Sequence, residues 1–268
     1  MKTERKYSPR LEILGVPVDC LGMAQAVDRI RDLLSRPGFH QVVTLGSEMV
    51  VWAQHDRDFL EAVHGADLVV ADGVGLVLAA RTHRFHFPSR VAGIELIGQT
   101  CLHLGSSLRI FLLGAAPGVA EEAARNMVRK APAIQIVGIR DGYFKDDQEI
   151  VAQIKASGAN LVLVGMGFPR QELWLKKFGP ELGPSVVGIG VGGSFDVFAG
   201  RIKRAPDWML HFGLEWLYRF ASQPTRYQRM LALPSFVKRV LLAGPRAVVP
   251  RPARSVTTPQ QSERIASR

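Results

Sequence analysis

The chain has 268 residues, 47% hydrophobic and 22% charged, a composition that excludes an intrinsically disordered or collagen-like protein and predicts one large globular unit with an appendage. Its net charge of +10 is unevenly placed: residues 1–199 carry 21 basic and 21 acidic side chains, so the whole excess lies in residues 200–268. A neutral body with a basic last quarter points to an anionic partner, whether nucleic acid, membrane surface or phosphate.

The N-terminal residues contain no apolar core of signal-peptide length, and no run of 18 apolar residues occurs that would span a membrane. Continuous β-branched apolar runs then predict strands at 41–46, 68–71, 108–114, 134–139, 161–167 and 186–193, each expected to be covered on both faces. Helical patterns fall between them. One starts at Ser47 as N-cap and continues to residue 66; others cover 117–131, 146–158 (closing on Gly158) and 169–179 (opening at Pro169). This alternation predicts an α/β fold with a mostly parallel sheet and helices on both faces, over residues 1–200. From residue 201 to 244 the pattern turns helical, aromatic and arginine-rich, with Trp208, Phe212, Trp216 and Phe220 at four-residue spacing along one helical stripe. That stripe fits core packing or, with the arginines and "FVKRVLLAG", a contact with a membrane surface. Residues 245–268 are rich in Pro, Ser and Arg and are expected to be disordered.

In open parallel sheets, ligands bind beyond the carboxyl ends of the strands. The residues that follow the strands here are Thr44 and Gly46, Asp72-Gly73, Gly114, Asp141-Gly142-Tyr143, Gly165 to Phe168, and Gly192-Gly193-Ser194. Asp72 is the conspicuous one, a carboxylate amid "ADLVVADGVGLVLAA", where a buried unpaired charge would be costly. It either caps a helix or stands on a turn that faces a ligand.

The glycine turns "GAAPG" (114–118) and "GMGFPRQE" (165–172) could cradle phosphate through backbone N–H groups, although neither is a Walker loop or a dinucleotide fingerprint. The cysteines, Cys20 and Cys101, lack metal spacing and read as reduced buried thiols of a cytosolic protein. His83 and His86 have no acidic or thiol partner nearby, and Asp146-Asp147 fits helix capping, so neither a metal nor another cofactor is expected. Without a nucleophile-elbow or Cys-His pattern, the rim offers Asp72, Thr44, Gln171, Arg90 and the later arginines Arg204, Arg219, Arg226 and Arg229. That set suits deprotonation of an alcohol and neutralisation of a phosphate leaving group.

Seven segments in order, "VVTLGSEMVVWAQHDRDF", "ADLVVADGVGLVLAAR", "RVAGIEL", "GMGFPRQE", "GVGGSFDVFAG", "KRAPDWM" and "GLEWLYRFASQPTRYQRM", resemble the motif series of the WecG/TagA/CpsF family of bacterial glycosyltransferases. The resemblance runs from about residue 11 to 232 and implies a Rossmann-like catalytic domain with a C-terminal appendage. It implies transfer of a hexosyl residue, often N-acetylmannosamine or its uronic acid, from a UDP-sugar to a polyprenyl-diphosphate-linked sugar, for teichoic acid or exopolysaccharide synthesis. It places the catalytic base on Asp72, with Thr44, Arg90 and Gln171 beside it. The donor side falls on Gly114, Tyr143, Gly165, Gly167, Phe168, Gly192 and Asp196, and the acceptor diphosphate on Arg219, Arg226 and Arg229. One departure stands out: the family's "TxN" is here Thr44-Leu45-Gly46, so an expected side-chain amide is missing.

The expected reaction is a metal-independent, inverting displacement in which Asp72 takes a proton from the acceptor hydroxyl, desolvation by Val69, Val70 and Val74 helping to raise its basicity. The expected place is the inner face of the plasma membrane, held peripherally by the basic appendage on anionic lipid. A non-catalytic nucleotide-sugar-binding, membrane-associated protein is the alternative. A nicotinamide dehydrogenase lacks its fingerprint here, and no nucleic-acid-binding motif supports a DNA or RNA partner. Association into a homo-oligomer is left open.

Overall fold

The computed structural model describes residues 9–202, 205–206, 209, 218 and 232–252. A six-stranded parallel sheet forms its centre: β3 (Gly38–Leu45), β4 (Leu68–Ala71), β5 (Arg109–Gly114), β6 (Gln135–Arg140), β7 (Leu161–Gly165) and β8 (Ser185–Gly190), in the order β4-β3-β8-β7-β5-β6. All six overlap the runs expected from the sequence, with β3 starting three residues earlier and β7 and β8 ending two and three residues sooner. The physical reason is visible in β4 and β8, where successive residues are buried on both sides, so no polar alternation survives.

Helices cover the two faces. They are α1 (Met23–Leu34), α2 (Ser47–Ala53), α3 (Arg57–Gly65), α4 (Val74–Thr82), α5 (Gly93–Leu104), α6 (Val119–Lys130), α7 (Asp147–Ser157), α8 (Arg170–Phe178), the short α9 (Ser194–Phe198) and α10 (Ala232–Ala243). The single helix expected over 47–66 is in fact two. Asp56 interrupts it and caps the second, its Oδ1 accepting the Phe59 N–H at 2.9 Å. The N-cap of α2 is Gly46, with Ser47 the first helical residue. Asp146 caps α7 as expected, and Gly158 ends it at φ +66°.

Two features were not expected from the sequence. The strands β1 (Arg10–Ile13) and β2 (Val16–Asp19) form a hairpin whose turn, Leu14-Gly15, has φ of +50° and +80°. Against β1 lies β9 (Val248–Arg251), antiparallel, with Arg10 opposite Arg251 and Ile13 opposite Val248. The disorder expected for residues 245–268 is therefore wrong for its first residues. Val248 is buried, Arg251 pairs with Glu12, and Leu14 N–H donates to the Ala247 carbonyl at 2.8 Å. Composition reads Pro and Arg as solvating, whereas a waiting strand edge supplies hydrogen bonds and a buried face. Residues 253–268 lie outside the described residues.

The helix α10 packs on α2 and α4. Phe236, 1% exposed, and Val240 enter the same apolar cluster as Met49, Val50 and Leu76. His83 is not a metal ligand here: its Nδ1 lies 2.8 Å from the Ala79 carbonyl and its Nε2 2.8 Å from the Gly244 carbonyl, with the ring N–H donating to one of them, which places the side chain between α4 and the end of α10.

Candidate active site

Asp72 is the first residue past β4. Its N–H and that of Gly73 both reach the Leu45 carbonyl (3.0 and 3.3 Å), which turns the chain sharply over the end of β3. The Asp72 carboxylate accepts the N–H of Gly93, first residue of α5, through Oδ2 at 3.2 Å. It thus caps a helix as well as standing on the rim, but the helix is α5 and not the α4 that follows it in sequence. The N-terminus of α5, the positive end of its dipole, therefore faces this carboxylate. Val91 N–H donates to the Ala71 carbonyl at 2.9 Å, which brings the half-buried Arg90 to the same corner.

Thr44, near the end of β3, stands beside this corner. Its Oγ1 donates to the Gly190 carbonyl at 3.2 Å. A Cβ at Gly93 would lie 3.0 Å from Thr44 Cγ2 and 3.2 Å from its Oγ1, so a glycine there lets the threonine approach the start of α5. At Gly46 the backbone is extended (φ −100°), and a Cβ would meet only the Glu48 side chain at 3.7 Å. A Cβ is accommodated there, so neither backbone conformation nor close packing at Cβ imposes glycine at this position.

Gln171 lies one strand further on and is 4% exposed. Its Oε1 accepts two backbone N–H groups, from Gly167 at 3.1 Å and Gly192 at 3.0 Å, which ties the turn after β7 to the turn after β8. Its Nε2 donates to Oε1 of Glu172 at 2.7 Å. Glu172, which sequence reading passed over, is 1% exposed, and its Oε2 has no hydrogen-bond partner among the described residues. Burial pushes its carboxyl up from the ordinary 4.5 to about 7, partly offset by the Gln171 amide. The only sequence signal was its place next to Gln171.

This shift has a measurable consequence. Between about 4.5 and 7 the folded chain holds a proton on Glu172 that the unfolded chain has released. The associated stability is fully present below the unfolded value and is lost as pH rises through about 7, by up to roughly 3 kcal/mol. Urea-unfolding free energies at pH 5 and pH 8 should therefore fall more steeply for the natural chain than for Glu172→Gln. Equal slopes would mean the carboxyl is not held neutral by burial.

The turns expected to hold the donor lie side by side. Gly114 (φ +123°) ends β5 so close to β7 that a Cβ would lie 2.6 Å from the Gly165 carbonyl carbon, and Ala115 N–H donates to the Gly165 carbonyl at 3.0 Å. Asp196 sits in α9, its own carbonyl accepting the N–H groups of Arg201 and Ile202. Phe168 turns away from the glycines. Its ring meets Trp52 edge-on at 5.9 Å and Phe59 at 6.2 Å, in the cluster that also holds α2 and α3. Tyr143 is 76% exposed beyond β6, the opposite sheet edge from β4, so five strand spacings of about 4.8 Å separate it from the Asp72 side. The structure brings together Asp72, Thr44, Arg90, Gln171, Gly167 and Gly192, and leaves Tyr143 apart from them. Arg204, Arg219, Arg226, Arg229 and the Trp208 to Phe220 stripe lie outside the described residues.

The family model for the glycosyl transferase WecG/TagA/CpsF family matches residues 11–247. A Bacillus spizizenii protein named N-acetylglucosaminyldiphosphoundecaprenol N-acetyl-beta-D-mannosaminyltransferase is 37% identical over 201 residues, covering 75% of this chain and 78% of its own length. A protein of the same name from Bacillus subtilis is 35% identical over 204 residues, 75% of this chain and 78% of its own length. Another from Staphylococcus aureus is 34% identical over 245 residues, covering 90% of this chain and 95% of its own length.

Proposed function

Since the chain belongs to the WecG/TagA/CpsF family and is a glycosyltransferase, we propose that it moves an N-acetylmannosamine-like hexosyl residue from a UDP-sugar to the sugar of a polyprenyl-diphosphate-linked acceptor. The observation that carries this reading is the corner where Asp72, Thr44 and the start of α5 meet at the carboxyl ends of β3 and β4. The Gly93 N–H holds the carboxylate at the strand ends, where an incoming acceptor hydroxyl would meet it. In the proposed step the acceptor oxygen attacks the anomeric carbon, its proton passes to Asp72, and the carbon–oxygen bond to UDP breaks with its electron pair on the diphosphate. Attack opposite the leaving group inverts the anomeric centre. Arg219, Arg226 and Arg229 are assigned to the acceptor diphosphate, and no metal is required in this scheme.

The lipid anchor of such an acceptor calls for contact with a membrane surface, and α10 supports one. Leu241 and Leu242 are 75% and 76% exposed, with Val237 and Lys238 beside them, on the face away from buried Phe236 and Val240. No helix among the described residues is long and apolar enough to cross a membrane, so the contact would be interfacial. Each basic residue near an anionic leaflet adds roughly 1 kcal/mol to such binding, and the basic last quarter of the chain is suited to it. The inner face of the plasma membrane is the proposed place of action.

UDP release from UDP-ManNAc, UDP-ManNAcA, UDP-Glc and UDP-GlcNAc tests the proposal, with and without a short-chain lipid-diphosphate-GlcNAc and in EDTA. Acceptor-dependent release from a ManNAc-type donor, unaffected by EDTA, is expected. UDP binding without turnover on any donor would favour a non-catalytic nucleotide-sugar-binding protein instead.

A further inference from the structure

Adjacent residues on a helix point about a quarter-turn or more apart and seldom interact through their side chains. Gln171 and Glu172 do so in a fully buried place, and the donor–acceptor inventory explains why. The N–H groups of Gly167 and Gly192 converge on one point, so an oxygen must occupy it. The Gln171 carboxamide supplies that oxygen only if its NH₂ group points the other way, where it needs an acceptor. Oε1 of Glu172 is that acceptor, at 2.7 Å. The Glu172 backbone is itself fastened, its carbonyl accepting Nε2 of the buried Gln41 from β3 at 3.1 Å. Room for the pair comes from β8: a Cβ at Gly190 would fall 2.5 Å from Gln171 Nε2 and 2.7 Å from Glu172 Oε1. The Gly190 carbonyl is also the group that Thr44 binds, so the pair lies directly behind the Asp72 corner.

We propose that Glu172 is a positioning residue of the donor site: its buried carboxyl oxygen locks the Gln171 amide in the one orientation that clamps Gly167 to Gly192, and so sets the gap between the turns after β7 and β8. This rests on the reading that these turns hold the donor diphosphate. Only one carboxyl oxygen is used, so the role is that of a hydrogen-bond acceptor and a carboxamide can take it over. Without the acceptor, the Gln171 amide loses its fixed orientation and the two turns part.

The test compares Glu172→Leu, Glu172→Gln and Gly190→Ala with the natural chain, following UDP affinity, donor KM, acceptor KM, kcat and deuterium exchange at the Gly167 and Gly192 amides. Glu172→Leu is expected to raise the UDP Kd and donor KM by roughly tenfold to a hundredfold, with acceptor KM little changed, because small misplacements at a site cost about that much. Exchange at both glycine amides should accelerate together. Glu172→Gln should recover most of the loss, and Gly190→Ala, which crowds the pair from β8, should reproduce it. Glu172→Leu with donor KM and amide exchange at the natural values overturns the proposal, as does equal damage from Leu and Gln at position 172. If the natural chain binds no UDP, the donor-site reading fails, while exchange at the two amides still decides whether the clamp exists.

Discussion

Asp72→Asn is expected to lower acceptor-dependent UDP release by about 10²–10⁴-fold, the usual worth of a positioned general base. The substitution is informative because it removes the charge and keeps the backbone contacts described above. An asparagine keeps an oxygen for the Gly93 N–H now bound at 3.2 Å, so the start of α5 remains capped. The backbone bonds of residues 72 and 73 to the Leu45 carbonyl do not involve the side chain. What disappears is the anionic proton acceptor. Steady-state UDP release alongside thermal unfolding and UDP titration separates the possibilities: turnover should collapse while the melting midpoint and UDP affinity stay near those of the natural chain. A variant that turns over at the natural rate would reduce Asp72 to a helix cap and remove the proposed mechanism.

Phe236→Ala is expected to cost about 3–5 kcal/mol of folding stability, the range for emptying a buried aromatic site. Phe236 is 1% exposed in the cluster built by β1, β3, α2 and α4, although it belongs to the basic last quarter that the sequence suggests is an appendage. Its neighbour Leu233 reaches α4 near Gly75, three residues after Asp72, so α10 braces the active-site side of the body. Urea unfolding measures the loss. Leu241→Ala on the same helix, where the side chain is 75% exposed, should stay within about 0.5 kcal/mol. Should Phe236→Ala be as mild as Leu241→Ala, α10 would be a detachable arm and not part of the core.

How much was legible beforehand differs from element to element. The helices α6, α7 and α8 follow the patterns seen in the sequence, and the glycine turns at Gly114, Gly165 and Gly192 stand where strand ends were expected. The split at Asp56 carries no proline or glycine signal: the polar run Gln54 to Asp58 could equally form an exposed helical turn, and the cap bond to Phe59 decides the break. Phe168 looked like a member of a ligand turn; its ring is drawn into the Trp52–Phe59 cluster by aromatic packing that no local motif encodes. Glu172 was invisible because a glutamate on a helix is normally solvated, and its burial depends on Gly190 from a distant strand leaving space.

The parallel sheet and the location of Asp72, Thr44 and Gln171 at its rim were determined by the sequence alone, since continuous apolar runs and strand-terminal turns are local properties. Which residues meet was decided only by the tertiary structure. The strand order, the capping of α5 by Asp72, the Gln171–Glu172 clamp and the closure of β9 on β1 all join segments through hydrogen bonds and shared burial. Those energies depend on distance in space, and a linear sequence carries no direct measure of it.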